Sequence, residues 1–373
     1  MRVIHCIYSL NPGGVEMFLL NLSAAMQENN VETHVICFYD GPLKESFATD
    51  GVSIHILGDI RRVGTHIRFL KKIKEIKADV VNNHMNIMAG VVSIYCRLLK
   101  IPFVMYSHST KKVDFNTSKI YENATNLSLA ISKRLMTCGV GVSKDACKAM
   151  WGEDYDKKNV RFINLGIDFN RYKPIGNITE ERVNFYKQFD FPQGSIVVAN
   201  VAGYRPQKKY DLFIDVAAEI LKTTDKVYFL MIGEGTERER MEEQIAKLGI
   251  GNHCRLTGFL NNVPEILKST VDVFLFTSGF EGLGLALVEA QAAGVYSVYS
   301  DVVPEEAVIN HDMVKAMSLN DSPKQWAEVI IKAIESGHTA INKHNAYQVA
   351  MNSDFNIQKT VQSYINLWKS LSR

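Results

Sequence analysis

Short apolar runs rich in β-branched residues alternate along the chain with longer amphipathic runs. The β-type runs of the first half are RVIHCIY, THVICFY, SIHIL, DVVNNH, FVMYSH, GVGVS and VRFIN, and helical patterns such as GVEMFLLNLSAAMQENN separate them. After a less regular stretch at residues 165–192, the alternation resumes with SIVVANVAG, KVYFLMIG, CRLTGF, VDVFLFTS and YSVYSD. Because strands that alternate with helices build parallel sheets, this pattern predicts two doubly wound α/β domains.

The length of 373 residues agrees with two domains, because one hydrophobic core rarely extends over so many residues. We place the first domain at residues 1–170 and the second at residues 190–350. The last segment, at about 355–373, is amphipathic and charged, and we expect it to return to the first domain as a helix. Ligands of doubly wound sheets bind beyond the carboxyl ends of the strands, so a cleft between the domains is the expected site.

The composition indicates a cytoplasmic protein. The chain has no run of the ~20 apolar residues that a membrane span needs, and it opens with the strand-like MRVIHCIYSL instead of a secretory signal. Its six cysteines are scattered without a CxxC spacing, which indicates reduced thiols in the core. We expect no nucleic-acid partner.

Charge is divided unevenly between the two halves. Residues 1–173 carry 23 Lys and Arg against 16 Asp and Glu, whereas residues 174–373 carry 19 against 24. The densest basic stretch, residues 61–77, reads RRVGTHIRFLKKIKEIK and predicts an amphipathic helix with a basic face. Two interpretations remain open. The helix lies on an anionic membrane surface, or it is a solvated outer helix whose apolar residues face the core.

The run FEGLGLALVEAQAAG follows the strand VDVFLFTS and therefore forms a strand-to-helix turn. Glycines let the backbone approach a ligand, and the first N–H groups of a helix attract phosphate, so this turn suits a pyrophosphate. Glu281 lies at the turn, and Glu289 lies far enough into the helix to accept hydrogen bonds from a ribose diol. The alternative interpretation is a tight turn with a solvated Glu289.

A second strand exit in the same domain carries cations. The stretch GYRPQKKYDLFIDVA follows the strand SIVVANVAG and contains Arg205, Lys208 and Lys209. Cations beside a helix start would stabilise the charge that develops on a diphosphate leaving group. A solvated basic turn is the alternative.

The first domain offers a glycine turn and two histidines. Gly13 and Gly14 follow the first strand and open a helix, while His84 and His108 end the runs DVVNNH and FVMYSH. A single histidine at a strand end is usually structural. Two of them at the carboxyl ends of one sheet, together with a glycine turn, favour a functional site.

Other chemistries fit the sequence less well. It contains no GxGxxG, no P-loop motif and no GxSxG, which disfavours a dinucleotide dehydrogenase, a P-loop kinase and a serine hydrolase. Its Asp-x-Asp, formed by Asp154 and Asp156, lies in a polar loop far from the other features. There is also no cluster of Cys and His ligands, so we expect no metal and no resident cofactor.

Taken in order, these motifs resemble the retaining nucleotide-sugar glycosyltransferases of family 4, and most of all bacterial enzymes that build capsular or extracellular polysaccharides. The matching stretches are NPGGVEMFLLNL, NNHMNIMAG, YSHS, GVGVSKDACKAMWG, FINLGIDFNRY, NVAGYRPQKK, FLMIGEGTERERME, LTGFLNNVPEIL, FTSGFEGLGLALVEAQAAG and SDVVPEEA. The resemblance implies the GT-B arrangement, in which two Rossmann-like domains face each other across a cleft.

The resemblance also implies roles for residues of the second domain. Glu281 would touch the hydroxyls of the donor sugar, and Gly282 and Leu283 would offer backbone N–H groups to phosphate. Lys208 would bind the diphosphate, and Glu289 would hold the ribose. One glutamate would then recognise the sugar and the other the nucleoside.

For the first domain, the resemblance implies that Gly13 and Gly14 contact the acceptor or the donor phosphate. We assign Gly14 to donor binding, and Gly13 and His84 to the acceptor side. His108 would lie beside the transferred sugar and form a hydrogen bond with a hydroxyl group.

One position departs from the family pattern. The family usually has an arginine at or directly after the position of Gly203, whereas the nearest arginine here is Arg205. Either Arg205 takes over binding of the diphosphate, or Lys208 and Lys209 suffice.

The reaction that the resemblance implies is metal-free transfer of a hexose with retention of anomeric configuration, with His108 and Glu281 as the catalytic residues. The donor would be a UDP-sugar and the acceptor a lipid-linked oligosaccharide or glycan. The basic stretch 61–77 would hold the enzyme at the inner face of the cell membrane. The alternatives are a non-catalytic sugar or nucleotide-sugar binding protein and a sugar-nucleotide epimerase of the same broad fold.

Overall fold

The computed structural model describes residues 1–108, 118–174, 176, 178–337 and 341–372. The chain forms two compact units. Unit 1 comprises Met1–Ile167 with Asp354–Arg373, and unit 2 comprises Asp168–Ser353. Each unit is built on a parallel sheet with helices between its strands, so the predicted doubly wound α/β class is confirmed.

Across the described residues, unit 1 forms a seven-stranded sheet from β-branched and aromatic runs that are mostly buried. Its strands are β1 (Arg2–Cys6), β2 (Glu32–Cys37), β3 (Ser53–Ile56), β4 (Val80–Asn83), β5 (Phe103–Ser107), β6 (Cys138–Gly141) and β7 (Val160–Phe162). The helices between them are α1 (Gly14–Met26), α2 (Lys44–Thr49), α3 (Val63–Ile76), α4 (Ala89–Leu99), α5 (Lys119–Leu135) and α6 (Lys144–Trp151). The strand order is β3-β2-β1-β4-β5-β6-β7.

The described part of unit 2 forms a six-stranded parallel sheet in the order β10-β9-β8-β11-β12-β13. Its strands are β8 (Ile196–Val201), β9 (Val227–Ile232), β10 (Cys254–Leu256), β11 (Val273–Phe276), β12 (Tyr296–Ser300) and β13 (Val314–Met317). Its helices are α7 (Ile178–Gln188), α8 (Tyr210–Leu221), α9 (Arg238–Leu248), α10 (Val263–Ser269), α11 (Leu285–Ala292), α12 (Pro323–Glu335) and α13 (Lys343–Asn352).

The strand order reverses in the middle of each sheet. In unit 1 the reversal lies between β1 and β4, where His5 pairs in register with Asn82. In unit 2 it lies between β8 and β11, where Val198 pairs with Val273. Such reversals leave a crevice beyond the strand ends, which is where doubly wound sheets bind ligands.

The C-terminal helix α14 (Ile357–Leu371) packs on unit 1, as predicted. The N–H of Ile167 donates to the carbonyl oxygen of Phe355 at 2.7 Å, and the N–H of Ile357 donates back to the Ile167 carbonyl at 3.0 Å. A Cβ on Gly166 would lie 2.8 Å from Ile357 Cα, so glycine is needed for this close approach.

Two elements differ from the sequence expectation. The stretch at 165–192 is not irregular throughout, because it contains α7, which is held by a bidentate ion pair between Arg182 and Asp272 with N···O distances of 3.0 and 2.6 Å. Strand β13 was not predicted, because its sequence VKAM lacks a β-branched run. It lies at the edge of its sheet and pairs only with β12 within the described chain.

The basic stretch forms α3, as predicted, with Phe69, Ile73 and Ile76 buried. Its outward face carries exposed Lys and Arg residues together with Val63 and Ile67, which are 75% and 52% exposed. Contact of this face with a membrane surface stays a prediction. No helix in the described ranges is both long and apolar enough to cross a bilayer.

Candidate active site

Lys208 and Glu281, which lie on different turns, form an ion pair in unit 2. Lys208 Nζ is 2.5 Å from Glu281 Oε1, and the two side chains are only 15% and 10% exposed. The same Oε1 accepts a hydrogen bond from Ser278 Oγ at 2.6 Å. Lys208 Nζ also lies 5.6 Å from the centroid of the Phe276 ring, in a cation–π contact. Two predicted site residues are therefore brought together in a largely buried charged cluster.

Hydrogen bonds to the backbone hold the two turns together. The turn after β8 is a short 3-10 helix, Pro206–Lys208. Thr277 Oγ1, just beyond β11, donates to the carbonyl oxygen of Lys208 at 3.0 Å. The N–H of Gly279 donates to the carbonyl oxygen of Gln207 at 2.7 Å. The position of Lys208 relative to the β11–α11 turn is thus fixed by the backbone as well as by its own ion pair.

Gly284 ends the turn and caps α11. Its φ of +92° lies in the left-handed region, and a Cβ there would be 2.9 Å from Val303 Cγ1, so glycine is required. Gly282 and Leu283 precede it, and the Leu283 side chain is buried. The first N–H groups of a helix have no helical partner and lie at its positive end. The predicted strand-to-helix turn is therefore present, with backbone donors at its end, and its binding of phosphate stays a prediction.

Glu289 lies on α11, five residues after Gly284, which corresponds to about 7 Å along the helix axis. Burial raises the pKa of this carboxyl from 4.5 to about 7, while a hydrogen bond with Tyr172 and the charge of Arg171 act in the opposite direction. Both partners lie on the 3-10 helix Phe169–Tyr172 of unit 2. Near neutral pH, Glu289 is therefore a mixture of acid and carboxylate.

Arg205 is exposed and folds back over Gly203. Its Nε lies 3.7 Å from the point that a Cβ on Gly203 would occupy. It also lines a cavity of about 180 Å³ together with Lys209, Glu237 and Arg240. Arg205 thus lies next to the position where the family resemblance places an arginine, and its part in diphosphate binding stays a prediction.

His84 and His108, predicted from different strand ends, are in direct contact in unit 1. His84 Nδ1 is 2.7 Å from His108 Nε2, and the His84 ring packs against Tyr106 with centroids 4.2 Å apart and the planes tilted by 35°. A third histidine, His5 on β1, has its Nδ1 3.0 Å from His84 Nε2. Burial lowers the pKa of His5 to about 3 and that of His108 to about 4, and it lowers the pKa of His84 well below 6.5. All three rings are neutral at pH 7 and can both donate and accept hydrogen bonds.

Asn82 anchors the polar network behind these histidines. Its Oδ1 accepts hydrogen bonds from Tyr106 at 3.2 Å and from Trp368 Nε1 at 3.0 Å, and its Nδ2 donates to the Ile4 carbonyl at 3.3 Å. The Trp368 ring meets His5 edge-on with centroids 5.8 Å apart. Helix α14 therefore supports the histidine cluster directly, which sequence reasoning missed.

Gly13 and Gly14 lie at the start of α1, as expected, with Gly13 as its N-cap. A Cβ on Gly13 would be 2.5 Å from Glu16 Oε2, which is the end of a flexible side chain. A Cβ on Gly14 would meet no atom within 4 Å. Among the described residues, packing therefore does not require glycine at position 14, and the role of Gly14 in donor binding stays a prediction.

Within the residues that the structure covers, no group of three or more His, Cys, Asp or Glu side chains could hold a metal ion. Asp154 forms an ion pair with Lys158 at 2.6 Å. The six cysteines are all buried, and none of them forms a disulfide bond. That the reaction needs neither a metal nor a cofactor stays a prediction.

Comparison with solved structures identifies the fold as that of the GT-B glycosyltransferases. Anabaena HepE, whose structure was determined in complex with UDP-glucose, aligns over 99% of this chain and 100% of its own with a TM-score of 0.84 and 18% identity. Two family profiles place the sequence more narrowly. Residues 12–171 match Glycosyltransferase Family 4, and residues 182–349 match Glycosyl transferases group 1. The protein is therefore a glycosyltransferase of the group 1/family 4 type.

Curated relatives match over nearly the full chain. The capsular polysaccharide biosynthesis glycosyltransferase CapH of Staphylococcus aureus is 24% identical over 94% of this chain and 96% of its own. The UDP-Gal:α-D-GlcNAc-diphosphoundecaprenol α-1,3-galactosyltransferase of Escherichia coli is 23% identical over 95% of this chain and 93% of its own.

Proposed function

We propose that this glycosyltransferase moves a hexose from a UDP-sugar to a lipid-linked oligosaccharide or glycan acceptor in cell-surface polysaccharide synthesis. Three similar proteins support the proposal. CapH is named for capsular polysaccharide biosynthesis, the E. coli relative for transfer from UDP-Gal to a diphosphoundecaprenol-linked sugar, and HepE was determined with UDP-glucose.

The observation that carries the proposal is the pairing of Lys208 with Glu281 beside the turn that opens α11. Negative charge grows on the diphosphate as its bond to the anomeric carbon breaks, and fixed donors stabilise that charge. The Lys208 ammonium, 2.5 Å from Glu281 Oε1, is already oriented before a ligand arrives. Glu281 in turn places a carboxylate beside the phosphate donors, where it can accept hydrogen bonds from sugar hydroxyls.

Glu289 is assigned to the nucleoside end of the donor. A carboxylate about 7 Å along α11 from the phosphate-binding turn matches a ribose that follows a diphosphate. Two hydroxyls of a ribose both donate to a carboxylate, so ionised Glu289 binds the donor better than protonated Glu289 does. Donor binding therefore lowers the pKa of Glu289 and releases a proton.

The reaction we propose is retaining and needs no protein base. The bond between the anomeric carbon and the diphosphate oxygen breaks, the acceptor oxygen bonds to the same face of that carbon, and the acceptor proton passes to the leaving phosphate. The protein positions the reactants and stabilises charge. Because burial keeps the pKa values of His84 and His108 below 6.5, both rings are neutral at pH 7, which agrees with a role for His108 in hydrogen bonding to a hydroxyl of the transferred sugar.

The test is release of nucleoside diphosphate by the purified full-length protein from UDP-, GDP- and ADP-sugars, with and without an undecaprenyl diphosphate-linked sugar as acceptor. We expect release from a UDP-sugar, stimulated by the acceptor and unaffected by a metal chelator. The anomeric configuration of the product, determined by NMR, should equal that of the donor. Binding of nucleotide sugars without turnover under every condition would contradict the proposal and favour a binding protein.

A matched pair of variants tests the site. Lys208→Met should lower the turnover rate on the order of 100-fold or more, because it removes a fixed donor to the leaving group. The control is Lys222→Met, since Lys222 forms a similar ion pair with Glu219 at 2.6 Å on the exposed side of α8. Thermal denaturation of both variants separates loss of activity from loss of folding. Equal activity of the two variants would remove Lys208 from the site.

A further inference from the structure

Three histidines of unit 1 form a continuous row. His5 Nδ1 is 3.0 Å from His84 Nε2, and His84 Nδ1 is 2.7 Å from His108 Nε2. The ring centroids of His5 and His84 are 5.3 Å apart at an interplanar angle of 21°, and those of His84 and His108 are 5.0 Å apart at an angle of 35°. The members come from β1 and from the residues that follow β4 and β5, three neighbouring strands of one sheet. A ring nitrogen of each histidine therefore faces a ring nitrogen of the next histidine in the row.

The number of protons allows this row only two arrangements. A neutral imidazole has one N–H and one bare nitrogen, so each of the two contacts needs one donor and one acceptor. If His84 carries its proton on Nδ1, it donates to His108, and its Nε2 must accept from His5 Nδ1. If His84 carries the proton on Nε2, it donates to His5, and its Nδ1 must accept from His108 Nε2. In the first case all three rings are Nδ1–H tautomers, and in the second all three are Nε2–H tautomers.

Burial keeps the rings neutral, which is what restricts the row to these two arrangements. The pKa values of all three rings lie below 6.5, chiefly through desolvation, and the two neighbouring imidazoles lower that of His84 further. Two aromatic side chains of the described residues pack against the row. Tyr106 contacts His84 with the ring planes tilted by 35°, and Trp368 meets His5 edge-on.

The row ends at His108 Nδ1. This atom is buried and has no hydrogen-bond partner among the residues that the structure describes. Its hydrogen-bonding capacity is therefore unused in the described structure, and we infer that a ligand of the row acts at this atom. In the Nδ1–H arrangement it is a donor, and in the Nε2–H arrangement it is an acceptor.

We propose that His5 and His84 are positioning residues that set the tautomer and ring orientation of His108, so that its Nδ1 changes between donor and acceptor only when all three rings change together. The row itself is independent of the reaction. Only the identity of the ligand at His108, a sugar hydroxyl, rests on the proposed function. The row then allows one imidazole to bind a hydroxyl group either as donor or as acceptor, without ever being charged.

The direct test is nitrogen NMR of the full-length protein with labelled histidine, at neutral pH, with each of the three rings assigned by substitution. We expect His5, His84 and His108 to show the same tautomer, or the same population of the two tautomers. Opposite tautomers on any two of these rings would overturn the proposal. This measurement needs no substrate, so it stands even if the proposed transferase activity fails.

Substitution of His5 tests the effect on turnover. His5→Leu removes the partner of His84 Nε2, whereas the amide of His5→Asn keeps a group near the Nδ1 position that can donate or accept. We expect His5→Leu to lower kcat about 10-fold with little change in KM. His5→Asn should retain most of the wild-type kcat. The control is the pair His55→Leu and His55→Asn, because His55 also stacks on a histidine, His34, with an N···N distance of 3.2 Å, but on strands β2 and β3. Full activity of folded His5→Leu, or equal losses in the Leu and Asn variants, would overturn the role of His5.

Discussion

Replacement of Glu289 by glutamine should stabilise the free protein at alkaline pH and weaken its binding of nucleotide. Burial raises the pKa of Glu289 from 4.5 to about 7, so the folded protein favours the protonated acid. Glutamine keeps the size of the side chain, and its carbonyl oxygen can still accept a hydrogen bond from Tyr172, but it carries no charge. The substitution therefore removes the cost of ionising a buried carboxyl and leaves the packing in place.

The difference between the folded and unfolded pKa values of Glu289 gives the size of the expected change in the free energy of unfolding. A rise from 4.5 to about 7 corresponds to up to about 3 kcal/mol. A carboxyl whose folded pKa lies above its unfolded value leaves stability unchanged below the unfolded pKa of 4.5. It lowers stability progressively as the pH rises to about 7, and by a constant amount above that. For a unit of this size, the difference corresponds to roughly 6–12 °C in Tm.

Thermal denaturation of the full-length protein near pH 4.5, 6 and 8 measures the effect. The Tm of Glu289→Gln should equal that of the wild type near pH 4.5 and exceed it increasingly up to about pH 8. The control is Glu328→Gln, because Glu328 lies on the exposed side of α12, 3.9 Å from Lys324, and should show no such pH dependence. A Tm difference for Glu289→Gln that is the same at every pH would show that the pKa of Glu289 is not raised on folding.

The same variant separates stability from function. Hydrogen bonds to a charged group contribute about 1.5–3 kcal/mol each, so loss of the carboxylate should weaken UDP binding about 10- to 100-fold in calorimetric titrations. Stabilisation without weaker binding would show that Glu289 is a strained structural residue and does not hold the ribose. A variant that is both more stable and less able to bind would be typical of a functional site.

Three further predictions concern other parts of the molecule. Tyr172→Phe removes a hydrogen bond that lowers the pKa of Glu289, so this pKa should rise above about 7. The pH midpoint of UDP binding should rise with it, and an unchanged midpoint would contradict a contact between Tyr172 and Glu289. Gly14→Ala should leave Tm within about 1 °C of wild type, because a Cβ at this position meets no described atom within 4 Å. It should lower activity if a ligand approaches this backbone, and full activity would remove Gly14 from the site. Reversal of charge on α3 by Lys71→Glu with Lys74→Glu should weaken co-sedimentation with anionic vesicles, by about 1 kcal/mol per residue, and unchanged binding would favour a solvated helix.

Much of the fold was predictable because apolar period and strand length are local properties of the sequence. Amphipathic runs with helical spacing predicted α1 and α3, and β-branched runs predicted most strands of both sheets. Strand β13 was missed because it has only four residues, lies at the edge of the sheet and is extended through its pairing with β12. Helix α7 was missed because its contacts with unit 2 are long-range: Arg182 pairs with Asp272, 90 residues away, and Phe185 and Tyr186 are buried.

The candidate site was predictable as a set of residues but not as a set of contacts. Lys208 and Glu281 both follow strands, yet their ion pair depends on β8 and β11 being neighbours, which the order of strands in the sequence does not reveal. His5 was missed for the same reason, since β1 and β4 are neighbours only in the folded sheet. Tyr172 gives no local signal, because its partner Glu289 lies more than a hundred residues away.

The proposed function depends above all on binding of a nucleotide-sugar diphosphate by Lys208 and the turn between β11 and α11. The most direct measurement is an experimental structure of the protein with a bound UDP-sugar. We expect phosphate oxygens within hydrogen-bond distance of Lys208 Nζ and of the backbone N–H groups of Gly282 and Leu283, and ribose hydroxyls hydrogen-bonded to Glu289. A diphosphate bound elsewhere on unit 2, with the ion pair between Lys208 and Glu281 untouched, would contradict it.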